Sequence, residues 1–422
     1  MNPFDVPATP ATAAVPYPRD RIPKQAVLSA AAFGSDAGCN VPSVLEAGEV
    51  KYVTRGNIAI ALALIHAGIG AADQVLLPAY HCISMVEPVV WRGAEPVFYR
   101  INADTSPDLD DVVQVLTPRA RAFLVPHYFG FPQNMQRIRA FCDEHRLILI
   151  EDCAHAFFGL HAGRPLGSFG DYAIASAWKF FPVCEGGCLV SSRRSLAGLQ
   201  LESPGLLFHI KVLLDTLEQA CEYRRLRPLN LLLEPLLRAK NAVWKKIKPQ
   251  PVAKGTDIEG GTADQAFSDF QPPWVRRTSS LAARFIISTA SKARIVNNRR
   301  ANYLKLQAAT GDLPGCRPLF AELPAATVPQ VFPLLIDEPE QIFPMLKSQG
   351  VPIIRFGEFL WPGMPRARCP VSVDLSRRVF QFPCHQELLP EELEWMAGCI
   401  RKALLARCYN SATTSGRDAI EC

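Results

Sequence analysis

Leu147-Ile148-Leu149-Ile150-Glu151-Asp152-Cys153-Ala154-His155 begins with four apolar residues and closes on two acids and a histidine. An unbroken apolar run with no alternation reads as a strand buried on both faces, the pattern of a parallel sheet covered by helices. In such sheets ligands sit outside the carboxyl ends of the strands, where Glu151, Asp152 and His155 fall. Taken alone, Asp152 reads equally well as a helix N-cap or a solvated loop acid. The pattern recurs outward from this segment. Strands are predicted at Gln74–Pro78, Glu95–Tyr99, Ala122–Pro126, Leu147–Glu151, Tyr172–Ser176 and Gly187–Ser191. Helices are predicted between them at Ile58–Ala67, Cys82–Arg92, Asp108–Leu116 and Asn134–His145. Strands alternating with helices predict an α/β fold, a mostly parallel sheet flanked by helices.

The 422 residues are 49% hydrophobic and 20% charged, with a formal net charge of +5. That length suits about two domains, and the apolar content excludes disorder throughout. No basic block marks a nucleic-acid binder. The 13 cysteines are odd in number, and many sit in apolar runs such as Ala397-Gly398-Cys399-Ile400. They read as buried free thiols of a reducing, cytoplasmic compartment. Cys142, His145, Cys153 and His155 lack a repeating ligand spacing, so no metal is expected. The N-terminal stretch has no signal-peptide pattern, and no apolar run approaches the ~18 residues of a membrane span.

Residues 1–24, rich in Pro and Ala, read as an extended arm, and 25–275 as a large domain. Within it, 197–275 is an insertion. Its Leu-rich part, 206–248, ends in Lys245, Lys246 and Lys248 and reads as a packed helical insertion or an interfacial helix. Its Gly- and Pro-rich part, 249–273, reads as a mobile loop. A long helix from Thr278 to Gln307 opens a small C-terminal α+β domain, 276–407, and 408–422 read as a flexible tail.

Two further segments carry chemistry. Ser176-Ala-Trp178-Lys179-Phe180-Phe181 sets a lysine among aromatics. Desolvation favours a neutral, nucleophilic amine suited to Schiff-base chemistry, although a lysine stem snorkelling over rings gives the same pattern. Thr54-Arg55-Gly56-Asn57-Ile58 places a glycine ahead of an apolar helix, where free main-chain N–H groups bind phosphate well.

Together these segments resemble the DegT/StrS family of sugar aminotransferases, pyridoxal 5'-phosphate (PLP) enzymes of fold type I. The resemblance runs from about Tyr52 to Ser191. It rests on Gly56-Asn57, Leu77-Pro78-Ala79-Tyr80, Gly93-Ala94-Glu95-Pro96-Val97-Phe98, His127-Tyr128-Phe129-Gly130-Phe131-Pro132, Glu151-Asp152-Cys153-Ala154-His155-Ala156, Gly167-Ser168-Phe169-Gly170-Asp171, and Lys179 with Glu185-Gly186-Gly187. The resemblance implies a large PLP-binding domain followed by a smaller α+β domain. It implies that Lys179 is the Schiff-base lysine and acid/base, and that Asp152 pairs with the pyridine nitrogen. His155 would lie near the ring, with Gly56, Asn57, Ile58 and Ser176 on the phosphate. Cys82 occupies the place of the family's stacking aromatic, with Tyr80 and His81 beside it as substrate candidates. The family's Asn-x-Arg element, which reaches a neighbouring subunit's cofactor, has only Arg276 or Arg277 as counterpart. Ser176 and Lys179 are three positions apart, where many members have five.

The resemblance implies transfer of an amino group from glutamate or glutamine to a keto sugar, nucleotide-linked as in the family, by a homodimer in amino-sugar, polysaccharide or secondary-metabolite biosynthesis. Two alternatives stand beside it: aminotransfer to a cyclitol, amine or keto acid, and a non-catalytic regulatory or scaffold protein on the same fold.

Overall fold

The computed structural model describes residues 21–34, 36, 41–226, 235 and 270–415. In chain order the first sheet and its helices are β1 (Glu49–Val53), α1 (Gly56–His66), β2 (Gln74–Pro78), α2 (Ile83–Trp91), β3 (Glu95–Tyr99), α3 (Leu109–Val115), β4 (Ala120–Pro126), α4 (Met135–Glu144) and β5 (Ile148–Cys153). The short hairpin β6–β7 (Leu160–His161, Arg164–Pro165) and strands β8 (Tyr172–Ala175) and β9 (Gly187–Ser191) follow. The seven-stranded sheet has the order β1-β9-β8-β5-β4-β2-β3. Within it β9 alone runs against its neighbours.

The predicted strands and helices of this region end within two residues of the observed ones. Every residue of β2 is buried, as is β5 beyond Ile148, because helices cover both faces of a parallel sheet. From Gly56 to Leu64 helix α1 is buried all round. A helix without a polar face must lie inside the protein. Strand β1 has no predicted counterpart. It is an edge strand carrying Glu49 and Lys51, paired only with β9, and edge strands lack the continuous apolar run.

Helix α5 (Leu206–Glu222) follows, then α6 (Leu281–Thr289) and α7 (Lys292–Thr310). The long helix predicted from Thr278 to Gln307 is thus two helices. Ala290 leaves helical geometry at ψ 141°, and Ser291 caps α7 by accepting from the Arg294 N–H. The side chain of Asp36 also accepts from the Lys292 and Ala293 N–H groups. A serine at this point reads as helix interior until the segment that reinforces the cap is seen.

A second, antiparallel sheet has the order β10-β11-β13-β12: Cys316–Pro318, Val331–Ile336, Val379–Pro383 and Ile354–Arg355. Helices α8 (Pro339–Ser348), α9 (Pro370–Arg378) and α10 (Pro390–Ser415) accompany it. The stretch read as a tail from 408 continues α10 as far as Ser415. At the other end, the described part of the predicted arm packs inward. Ile22 is buried, and the Pro23 carbonyl accepts from His385. One apolar cluster joins the two sheets, with Phe131 stacked on Phe320 at 3.8 Å between centroids.

In the insertion, Val212, Thr216 and Ala220 bury one face of α5. Leu206, Leu207, Ile210 and Leu213 remain exposed. Lys245, Lys246, Lys248 and residues 249–269 of the predicted loop lie outside the described residues. No helix among the described residues is long and apolar enough to cross a membrane. Ten of the described cysteines, Cys82 to Cys399, are free thiols.

Candidate active site

Outside the carboxyl ends of β4, β5 and β8 lies an open cleft. Its lining includes Gly56, Asn57, Cys82, His127, Asp152, His155, Ser176 and Lys179. Three stretches far apart in sequence meet here because the strand order carries β5 and β8 to the centre of the sheet, with α1 packed against them.

At one end is the N-terminus of α1. Its first main-chain bond runs from the Ala59 N–H to the Arg55 carbonyl, so the N–H groups of Gly56, Asn57 and Ile58 precede the intrahelical ladder. The Ile58 side chain packs in the core; what it offers the cleft is its N–H. A Cβ on Gly56 would stand 2.4 Å from Ser176 Oγ. Only glycine lets the helix end and this hydroxyl face one point. The buried Oδ1 of Asn57 has no hydrogen-bond partner.

At the other end Asp152 is buried. Its Oδ1 accepts from the Ala154 N–H at 2.8 Å. Burial raises its pKa, opposed by that hydrogen bond and by Lys179. A carboxylate so placed gains from a cation set against it. The Lys179 side chain is partly accessible. Burial lowers the amine's pKa, while Cys82 and Asp152 act the other way. The aromatics beside it in sequence are not what desolvates it. Phe180 and Phe181 turn into a core cluster with Phe157 and Phe158. The Trp178 ring centroid lies 5.8 Å from Lys179 Nζ. Ile60, Met85 and Ile174 supply the apolar walls of the cleft.

His155 is held on its Nδ1 by the Phe129 N–H at 3.4 Å. Its ring stacks on Phe129 and meets Phe356 edge-on at 5.1 Å. Burial and the Lys179 charge push it well below the ordinary histidine pKa. Phe129 adopts φ 58°, ψ 13°, an uncommon left-handed position for a bulky residue. At Gly130, φ is 102° and a Cβ would meet the Val328 carbonyl at 2.3 Å. The His127–Pro132 motif therefore encodes a tight turn that seats His155. Within that turn His127 Nδ1 accepts from the Gln133 N–H, so Nε2 carries the proton and donates to Glu151. Burial alone would raise the Glu151 carboxyl. Hydrogen bonds from His127 and from the Gly167 and Gly170 N–H groups hold it below the ordinary value.

Other sequence candidates lie elsewhere. Tyr80 is buried and stacked on Tyr128 at 5.2 Å, and His81 is fully buried. His81 Nε2 accepts from the Trp361 N–H while Nδ1 donates to the Pro78 and Ala79 carbonyls. Burial pulls its pKa to about 4. These two residues latch the loop after β12 onto the turn after β2, and neither lines the cleft. Arg276 is exposed. Arg277 pairs with Glu202 at 3.0 Å, so neither arginine enters this chain's own cleft. Cys82 does line it, its Sγ 3.2 Å from Ser84 Oγ. Cys142, His145, Cys153 and His155 do not gather as one group among the described residues. His127, Glu151 and Cys153 do lie together, but the carboxylate is already saturated by main-chain N–H groups. Phe356, which closes over His155, left no signal in the sequence. It sits in a short loop about 200 residues further along the chain.

Residues 43–201 match the DegT/DnrJ/EryC1/StrS aminotransferase family. The match covers less than half of the chain. The GDP-perosamine synthase of Escherichia coli O157:H7 is 31% identical over 172 residues, 39% of this chain and 47% of that protein. The L-glutamine:2-deoxy-scyllo-inosose aminotransferase of Streptomyces kanamyceticus is 34% identical over 145 residues, 34% of each chain. The chain thus spans less than half the length of these curated relatives. The fold match is wider. Spr1654 from Streptococcus pneumoniae in its PLP form aligns with a TM-score of 0.63 at 15% identity, covering 92% of this chain and 99% of that one. DesI, solved in the presence of its TDP-sugar product, aligns at 0.60 with 23% identity, over 87% and 83%. These structures share the architecture described above.

Proposed function

We propose that this protein is a PLP-dependent aminotransferase that moves an amino group from glutamate or glutamine to a keto sugar carried on a nucleotide. The observation that carries this is the convergence of three groups on one cleft: the Lys179 amine, the buried Asp152 carboxylate, and the open N-terminus of α1 facing Ser176. Such a cleft fits a planar group with a phosphate at one end and a basic nitrogen at the other. Bound there, PLP supplies an electron sink that stabilises negative charge at the carbon losing its proton. The protein's own residues do the rest. The Gly56, Asn57 and Ile58 N–H groups and Ser176 Oγ hold the phosphate. Asp152 keeps a positive charge on the ring nitrogen. Lys179 Nζ anchors the cofactor and, once displaced, takes and returns the proton at the donor's α-carbon. His155, kept uncharged by burial, packs near the ring without competing for Asp152.

The fold type I fit, the GDP-perosamine synthase relative and DesI support the nucleotide-sugar substrate. The cyclitol aminotransferase of S. kanamyceticus, equally similar in sequence, favours a cyclitol ketone as the second reading. Lys179 and Asp152 in one cleft count against a non-catalytic role. We assign a large domain, 25–275, and a small one, 276–407, working as a cytoplasmic homodimer. Exposed Leu206, Leu207, Leu281 and Phe285 support self-association, since apolar patches mark interfaces. Arg276 or Arg277, outside their own cleft, are then placed for a neighbour's phosphate. The test is spectroscopic. The purified chain with PLP should absorb in the visible, and borohydride should fix the cofactor on Lys179. A label on another lysine, or full turnover by Lys179→Ala, would reject the assignment. Return of the aminated cofactor form to PLP by keto sugars but not by cyclitol ketones decides the substrate.

A further inference from the structure

Arg299 on α7 is almost wholly buried, and among the described residues its hydrogen-bond partners are carbonyl and amide oxygens, with no carboxylate in reach. Nη2 donates to the Lys179 carbonyl at 2.7 Å and, more weakly, to that of Phe180 at 3.5 Å. Nη1 donates to the Gln330 carbonyl at 2.8 Å, and Nε to Gln386 Oε1 at 3.1 Å. Gln386 Nε2 in turn donates to the Phe180 carbonyl at 2.8 Å. The guanidinium also lies over the Phe180 ring, 4.5 Å from its centroid. Burial pulls its pKa down to about 10, with Cys384 and Glu387 opposing, so it stays charged at neutral pH. Burying a cation against main-chain oxygens alone is costly. A leucine or methionine would fill the space without that cost, so what the guanidinium adds is its fork of fixed donors.

Those donors end on the turn that carries the Lys179 amine and on the segment beside His155. The Gln330 N–H donates to the Phe129 carbonyl, and the Phe129 N–H donates to His155. We infer that Arg299, braced by Gln386, is a positioning residue that holds the Lys179 turn and the His155 turn in register from the C-terminal side of the chain. The inference rests on the proposed use of Lys179. The groups facing the amine are Asp152 near the end of β5, Cys82 before α2, His127 after β4 and His155; behind its main chain stand Arg299, Gln386 and, further off, Glu387.

The sign of the effect follows. Loosening the turn lets more water reach the amine, which raises the pKa of Lys179 towards that of an ordinary lysine. The test compares Arg299→Met, Arg299→Lys, Gln386→Met and Arg300→Met in the full-length protein without cofactor. Arg300 is the control: on the same helix, it donates to the Pro324 and Thr327 carbonyls without reaching Lys179. Acylation of Lys179 by acetic anhydride, mapped by mass spectrometry across pH, gives the midpoint of the amine. Melting temperature and the rate of PLP capture are read alongside. Arg299→Met should raise the midpoint by about one unit, which leaves about tenfold less neutral amine at neutral pH and slows capture to match. Gln386→Met and Arg299→Lys should move it the same way by less. Arg300→Met should lower the melting temperature and leave the midpoint alone. If Arg299→Met does not fold, the two milder variants decide. An unmoved midpoint in all the folded Arg299 and Gln386 variants, or an equal shift in Arg300→Met, overturns the inference. PLP that binds wild type without touching Lys179 would instead overturn the proposed function, and the midpoint comparison would still stand on its own.

Discussion

The cleft is built from two unlike regions. Residues 49–191 supply its floor and every polar group that lines it, and their elements follow the hydrophobic pattern of the sequence closely. Residues 281–415 supply no lining residue but hold the cleft from outside, through Phe356 over His155 and through Arg299 and Gln386 behind Lys179. The first region works by local pattern, the second by contacts between residues far apart in the chain. The difference teaches that the chemistry and its positioning are separately encoded here, and substitutions can tell them apart.

The largest effect should come from the floor. Asp152→Asn removes the negative partner of the ring nitrogen while keeping the shape. The expected loss in kcat/KM is on the order of a thousandfold, about 4 kcal/mol, with little change in melting temperature. A variant running near wild-type speed would detach Asp152 from the chemistry. Next comes the outer region. Phe356 is 6% exposed and meets the rings of Tyr80, Tyr128, Phe129 and His155. Phe356→Ala should cost about 3 kcal/mol in urea unfolding, and Phe356→Leu much less. Equal losses would mean that ring packing, not volume, is what this contact supplies.

Gly56→Val tests the phosphate end. Its Cβ meets Ser176 Oγ, so PLP should bind about tenfold to a hundredfold more weakly, or about 1–3 kcal/mol. Adding Ser176→Gly should recover part of this, a coupling only neighbours show. Simple additivity by equilibrium dialysis would refute the shared point. The pH profile of cofactor capture is subtler. With the amine's pKa lowered by burial, capture should level off below the ordinary lysine value of 10.5, because the neutral amine reacts and the protonated form predominates below the midpoint. A plateau at or above that value would mean an amine open to water. The smallest effect belongs to Arg277→Ala. Its pair with Glu202 is largely exposed, so stability should change by no more than about 1 kcal/mol. If the arginines serve a neighbour, mixing Lys179→Ala with an Arg276/Arg277→Ala double variant should restore one intact site per mixed dimer. No recovery after proven subunit exchange would confine each site to one chain.

How much of this was legible beforehand differs between the regions in the same way. That Asp152, Lys179, Gly56, Asn57, Ser176 and His155 line one cleft was legible because each lies in or beside a strong periodic element, and strand ends in a parallel sheet share one edge. Cys82 was also placed in the cleft. Tyr80 and His81 were misread: adjacency to a strand end says nothing of which way a side chain turns, and both turn into the contact with the loop at Phe356–Trp361. Phe180 and Phe181 misled similarly, since successive residues of a tight turn point in different directions. The break at Ala290–Ser291 escaped because its cap is completed by Asp36, more than 250 residues earlier.

The sequence by itself determined the α/β class, the order of the large-domain elements and which polar residues lie at the strand and helix ends, because hydrophobic period and glycine placement act over a few residues. Only the tertiary structure decided which of those groups share a cleft, what desolvates Lys179, and that Arg299 and Gln386 hold its turn. Burial and hydrogen bonding between distant residues depend on where the chain returns, and no local pattern records that.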